Sequence, residues 1–380
     1  MNRIYLDHAA TSPVHPKSAE KLTEVLTTVY GNPSSIHGTG REARKLLDDS
    51  REILARSIGA DVNDIILTSG GTEADNLAIF GTAYGLQNEG KHIITTEVEH
   101  HAVLNACKKL EKEGFEVTYL PVDEAGRVSV DSVRAALRPD TILVTIMYGN
   151  NEVGTIQPIK EVGEVLSTHS AIFHTDAVQA YGIVPLDVND LKVDLLSVSS
   201  HKVNGPKGIG FLYERPKTLQ TTQLVGGEQE RKRRAGTENV PGAAAFAEAV
   251  KISQTAMAEK KEQFEAFRRR FISELDVAGV EYHINGGVEP YLPHILNISF
   301  KGTDVESFLV NLDLEGISAS SGSACTAGAI DPSHVLIAMF GKDAPELRNS
   351  IRFSFGYGLT EADITEAAEK TAKIVKRLTK

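Results

Sequence analysis

Short, strongly apolar runs alternate with amphipathic stretches from Pro16 onward, and this alternation restricts the architecture more than any other feature of the chain. Apolar residues recur at helical spacing in Lys17 to Tyr30, Arg41 to Ser57, Glu73 to Tyr84 and His101 to Glu113. Strand-like runs occur at His92 to Thr95, Val117 to Leu120, Ile142 to Met147, Ala171 to His174 and Leu195 to Val198. These runs are rich enough in Ile, Leu and Val to be covered on both faces, which a βα repeat achieves by laying helices over a mainly parallel sheet. The expected class is α/β. After Pro241 the stretch GAAAFAEAVKISQTAMAEKKEQFEAFRRRFISEL reads as a long helical stretch whose length and charged second half suit a connector into a separate lobe. The strand HILNISF, the helix DVESFLVNL and a last helix ending KTAKIVKRLTK then predict a smaller α+β domain. The expected boundaries are 15–257 for the large domain, with 1–14 and 258–380 forming the small one.

With 380 residues, 41% of them hydrophobic, the chain can bury a large core. A formal charge of -11 argues against nucleic acid or an anionic membrane as a direct partner, because both reward excess Lys and Arg. The N-terminal MNRIYLDHAA lacks a signal-peptide apolar run, and no later window predicts a bilayer span, so the cytoplasm is the expected compartment. Cys107 and Cys325 are the only cysteines and stand far apart, which indicates neither a disulfide framework nor a zinc site.

Lys202, in SVSSHKVNGPKGIGFLY, follows a buried-strand pattern and precedes a Gly/Pro loop, so its amine is delivered at a sheet edge where ligands bind. One reading is a lysine that holds pyridoxal phosphate (PLP) as an imine; the other is a solvated loop lysine. Asp176, just past the strand AIFH, would pair with the cofactor's pyridinium nitrogen or would cap a helix. Asp176, Gln179 and Lys202 in consecutive βα units together favour the cofactor. In LTSGGTEADNLAIF a strand, a Ser-Gly-Gly-Thr turn and a helix offer the N–H groups of Gly71 and Thr72 to a phosphate, with Ser199 and His201 as further donors; a mere turn is the alternative. His100, in TEVEHHAVL, would lie over the cofactor ring and handle protons, or would be a surface histidine at a helix start. Metal binding is a poorer choice, since no paired HExxH-like spacing accompanies it.

Cys325 sits in ASSGSACTAGAIDPSH, a run too small and flexible to pack a core, which predicts an exposed thiol on a mobile loop able to attack a substrate sulfur. An inert free cysteine is the alternative, and Cys107 on AVLNACKKL fits that description. Arg352, in NSIRFSFG, would clamp a substrate carboxylate or form a structural salt bridge. Asn151, in MYGNNEVGT, would sit near cofactor and substrate or would form a turn only.

Taken together, LDHAATSP, YGNPSSIH, TSGGTEADNLAI, NNEVGTIQPI, DAVQA, SSHKVNGPKGIG, RRAGTENVPG, LPHILNISF and SSGSACTAG resemble the cysteine desulfurases of the NifS/IscS type nearly end to end. The resemblance implies a fold-type-I PLP-dependent transferase that works as a homodimer, releases L-alanine and leaves a persulfide on Cys325. Lys202 would then hold the cofactor, Asp176 and Gln179 contact its ring, His100 stack on it and Asn151 lie beside it. Gly71, Thr72, Ser199 and His201 would hold the phosphate, and Thr237 in RRAGTEN would reach the phosphate of the neighbouring subunit. The loop of about 320–332 looks like the long form in this family, passing sulfur to acceptor proteins for iron-sulfur assembly or tRNA thiolation. Asn204 and Ala235 depart from the tyrosine and serine frequent in relatives, and neither removes a group the chemistry requires. A selenocysteine lyase or class-V aminotransferase on the same scaffold is the enzymatic alternative, and a silent scaffold the non-enzymatic one.

Overall fold

The computed structural model describes residues 3–379 apart from 217, 219–220, 323–324, 327–328 and 331, with backbone alone at 325–326 and 329–330. Seven strands form the main sheet: β1 (Ile65–Thr68), β2 (His92–Thr96), β3 (Glu116–Leu120), β4 (Thr141–Thr145), β5 (Ile172–Asp176), β6 (Leu195–Ser199) and β7 (Gly210–Glu214). Their order across the sheet is β1-β7-β6-β5-β4-β2-β3. Pairing is parallel from β6 through to β3 and antiparallel on both sides of β7. The two reversals at β7 return β1 to the direction of β6. The C-terminal ends of β1, β2, β4, β5 and β6 therefore open on one edge, where loops can converge on a ligand.

Every residue of β4, β6 and β7 is buried, as a sheet covered on both faces requires. The covering helices include α1 (Pro16–Thr28), α2 (Gly38–Arg56), α3 (Gly71–Gly85) and α4 (His101–Lys112). Helix α4 puts Val103, Cys107 and Leu110 inward and its lysines outward. Helix α3 is apolar nearly all round, and it is buried from Leu77 through Ala83. Strand β1 is the strand expected ahead of the Ser-Gly-Gly-Thr turn, whereas β7 is absent from the expected set.

The long helical stretch is two helices, α5 (Val240–Thr255) and α6 (Met257–Val277), parted at Ala256. The cause is tertiary. Helix α5 buries Ala243, Ala244, Phe246 and Val250 in the core of the main sheet, whereas α6 buries Phe264, Phe267, Phe271 and Leu275 in a second core. One straight axis cannot present its apolar face to both. The second core is closed by β8 (His283–Asn285), β9 (Ile295–Ser299) and β10 (Ser350–Ser354) in the antiparallel order β10-β9-β8, with α7 (Val305–Leu314) and α8 (Glu361–Leu378). Ile4 and Leu6 also pack there, because Ile4–Tyr5 pairs with Ile317–Ser318. No described helix is long and apolar enough to cross a membrane.

Candidate active site

A cavity of about 430 Å³ opens at the edge where the strand ends converge. Gly71, Thr72, His100, Asn151, Asp176, Gln179, Ser199, His201, Lys202 and Arg352 all line it, although they come from both ends of the sequence. Each follows the C-terminal end of a main-sheet strand or closes it, except Arg352, which lies in the middle of β10. Two expected residues are not among them. Thr237 is exposed beside a separate crevice with Gly208 and Gly236. The side chain of Cys325 lies outside the described residues.

One end of the cavity suits an anion. Helix α3 begins at Gly70 without a side-chain cap, so the N–H groups of its first turn have no side-chain acceptor. Gly70 has φ +150°, and a Cβ on Gly71 would come 2.8 Å from Val178 Cγ2, so only glycine lets this turn close over the sheet. Ser199 and His201 border the same space. Burial holds the His201 imidazole down to about 4, leaving it neutral, with Nδ1 3.1 Å from Thr11 Oγ1. An uncapped helix N-terminus with hydroxyl and imidazole donors is phosphate-binding chemistry.

Lys202 ends a single 3₁₀ turn after β6. Its Nζ donates to the carbonyls of Ala9 and, at 2.8 Å, Ala10, while Gln179 Nε2 donates to Ala9 O at 2.9 Å. The N-terminal segment thus closes the cavity from behind. Burial first, then the Arg352 charge, lowers the Lys202 amine to about 8, with Asp176 and Asp7 opposing. Asn204 takes φ +63° and donates from its amide to Pro13 O at 2.9 Å, stitching the same segment. The left-handed angle suits Asn better than Tyr.

In the same cavity Asp75, His100 and Asp176 bring ligand-type atoms within 4.8 Å of one another. Burial raises Asp176, which accepts only the Val178 N–H at 2.9 Å, to about 6. Burial and then the Asp176 charge hold Asp75 well above the usual carboxylate range, and Asp75 Oδ1 has no hydrogen-bond partner. Two buried acids here, one with an oxygen that has no hydrogen-bond partner among the described residues, favour a cationic group on a ligand. The His100 residue is exposed by area at the cavity, yet its imidazole is lowered to about 4, first by the protein packed around the ring and then by Lys202, His101 and His334. It is neutral at pH 7 and suited to lie against a flat ring.

These buried acids set a pH dependence. Glu99, buried behind Met147, is raised to about 8 by burial. Between its unfolded value and about 8 the folded state binds the extra proton, so Glu99 stabilises less as pH rises. His8, His100, His174, His201 and His294 oppose this only below their unfolded value of 6.5, being depressed to about 4, 4, 3, 4 and 3. Lys202 opposes it only above about 8. Thermal unfolding of the cofactor-free protein is therefore expected to show stability falling from pH 6.5 to 8, with a flatter slope in Glu99→Gln; equal slopes would contradict the assignment.

Arg352 is buried, and both readings of it find something here. Its Nη2 pairs with Asp7 Oδ1 at 2.9 Å and Nη1 donates to Asn151 O at 2.8 Å, while Nε has no partner among the described residues. A buried donor left unsatisfied costs about 1–3 kcal/mol, which an acceptor on a ligand would relieve. Arg352 also exchanges backbone hydrogen bonds with Ser320, at 2.6 and 3.2 Å, and Ser320 and Gly322 line the cavity. Cys325 lies three positions after Gly322, a span of up to about 11 Å when extended. The tether of the thiol is thus rooted in the wall and registered to Arg352. Cys107, by contrast, is buried with its thiol pushed up to about 12, as an inert core cysteine should be.

Sequence reasoning missed Asp75, Glu152, His334 and the Ala9–Ala10 carbonyls, all at the cavity. Asp75 had a signal, an acid among the buried residues of a helix that is apolar nearly all round. A larger cleft of about 860 Å³ between α2 and residues 228–238 is lined by arginines and carboxylates that largely pair with one another.

The model of the aminotransferase class-V family matches residues 4–366. The "Putative cysteine desulfurase IscS 1" of Bacillus subtilis (strain 168) is 57% identical over 379 residues, covering 100% of both chains. A solved structure titled "NIFS-LIKE PROTEIN" superposes with a TM-score of 0.92 at 34% identity, over 99% of this chain and 100% of that one. Another, "SspA in complex with cysteine", has a TM-score of 0.81 at 36% identity, over 93% and 98%. With the phosphate turn, the acid pair and the lysine gathered on one sheet edge, these likenesses place the chain in the class-V aminotransferase family and, within it, among the cysteine desulfurases.

Proposed function

We propose that this cysteine desulfurase binds L-cysteine in the 430 Å³ cavity and receives its sulfur on Cys325. The family implies pyridoxal phosphate, and the cavity's donor set fits it: the first turn of α3, Thr72, Ser199 and His201 for the phosphate, Asp176 for the ring nitrogen, His100 against the ring, and Gln179 and Asn151 at its edge. When bound, the cofactor supplies an aldehyde carbon for amine exchange and a ring that withdraws electrons from the substrate's Cα. Arg352 holds the substrate carboxylate through its unpartnered Nε. Lys202 Nζ would hold the cofactor and, as a free amine, would take the proton from the substrate's Cα. Cys325 Sγ then bonds the substrate sulfur as the Cβ–S bond breaks. That bond's electron pair goes to the alanine fragment, which is protonated and leaves as L-alanine.

The observation that carries this reading is the Ser320–Arg352 bridge, which sets the root of the thiol's tether beside the group that would anchor the substrate. The proposal divides the chain into a large domain, 15–257, and a small one, 1–14 with 258–380, a division that the separate cores under α5 and α6 support. A homodimer, with Thr237 reaching the partner's site, and an acceptor protein for iron-sulfur assembly or tRNA thiolation complete the proposal. Incubation of purified protein with ³⁵S-cysteine and mapping by mass spectrometry tests it. Labelled persulfide on Cys325 with one L-alanine per sulfur is expected; keto-acid formation without sulfur transfer would instead favour an aminotransferase.

A further inference from the structure

Glu230, Arg231 and Lys232 all take left-handed backbone angles, φ 46°, 57° and 69°, and none is glycine. Side chains other than glycine adopt such angles rarely, and a run of three persists only where the surroundings impose it. Here they do. Buried Glu230 accepts two bonds from Arg51 of α2, at 2.6 and 2.7 Å, and the N–H of Leu67 of β1 at 3.1 Å. Arg233 bonds Glu214 of β7 at 2.9 Å, and Arg234 grips Glu73 of α3 at 2.6 and 3.1 Å. Glu73 in turn accepts the Ser69 N–H at 2.8 Å, so the loop is pinned to the turn that carries Gly71 and Thr72. Yet the segment so firmly held ends at Gly236 and Thr237, both exposed and neither lining the cavity of their own chain.

We propose that the Arg51–Glu230 pair is a positioning device that holds residues 231–237 in the shape needed to enter the active-site cavity of a second copy of this chain. The inference rests on the proposed dimer in which Thr237 acts across the interface. Neither Arg51 nor Glu230 borders the cavity, so both act through the left-handed turn. Rigid ion pairs within one subunit then prepare a surface whose work is done in the other.

Subunit complementation in the holoenzyme tests this. Glu230→Gln homodimers are expected to lose about tenfold or more in kcat/KM. Hybrid dimers of one Glu230→Gln and one Lys202→Ala protomer are expected to recover about half the wild-type rate, because one of their two sites has both an intact lysine and a well-held partner loop. Unchanged homodimers would overturn the proposal, as would hybrids no faster than half the Glu230→Gln homodimer, since the pair would then act within its own subunit or only on folding. Arg51→Lys keeps the charge but loses the two-pronged grip, and must behave as Glu230→Gln does; it serves alone if the glutamine variant does not fold. Hybrids of Thr237→Val with Lys202→Ala separate the two ideas. Failure there sinks the cross-subunit loop itself, whereas recovery there with failure for Glu230→Gln sinks only the pair.

Discussion

Lys202→Ala is expected to lower turnover of L-cysteine by at least about 10³-fold, within the range that a positioned general base contributes. It should also abolish exchange of the substrate's Cα proton with deuterated solvent. Burial and the Arg352 charge hold this amine at about 8, so at neutral pH a useful share of it is unprotonated, against almost none for an ordinary lysine. Only the neutral amine can accept the Cα proton. Wild-type kcat should therefore rise with pH and level off above about 8. The alanine variant also loses the bonds from Nζ to Ala9 and Ala10, which could loosen the N-terminal segment. Lys202→Arg answers that objection, because it keeps a cation that can reach those carbonyls but has no accessible neutral form. Both variants should fail alike in Cα exchange while the arginine variant retains thermal stability. Exchange at the wild-type rate in either would remove Lys202 from the role of base.

The legible parts of this protein were those in which local pattern and global fold agree. Strands β4, β5 and β6 are buried on nearly every position, so their composition announced them, and the residues that follow them fell at the right edge of the sheet. That is why Asp176 and Lys202 could be placed from sequence. Long-range pairings left no such trace. Arg352 and Asp7 lie at opposite ends of the chain, and nothing in NSIRFSFG says which carboxylate it will meet. The break at Ala256 is marked by neither Gly nor Pro, because it is imposed by two cores competing for one helix. The reversal at β7 escaped for a related reason, since GFLYE reads the same whether it runs parallel or antiparallel to its neighbours.

Cys325→Ser is expected to divide the reaction where Lys202→Ala abolishes it whole. The Cα proton should still exchange with solvent, since Lys202 and Arg352 are untouched, but sulfide release should fall by about 10³-fold or more, the scale on which loss of an enzyme nucleophile acts. A hydroxyl is no substitute, because the attacking species is a thiolate and serine is not appreciably ionised at neutral pH. Nor can the other cysteine take over. Cys107 is packed inside α4 with its thiol pushed up to about 12, leaving almost no thiolate and no path to the cavity. The geometry at the root of the tether supports the reach required. Gly322 takes φ +88°, and a Cβ there would meet Glu152 Oε2 at 2.7 Å, so the chain leaves the cavity wall through a turn that glycine alone fits. Cys325 follows three positions on, and a span of up to about 11 Å would bring its thiol toward a substrate that Arg352 is proposed to hold. Mass spectrometry of the serine variant after exposure to ³⁵S-cysteine should find no labelled persulfide anywhere on the chain. Label on Cys107, or sulfide release at the wild-type rate, would show that sulfur leaves the substrate by another route.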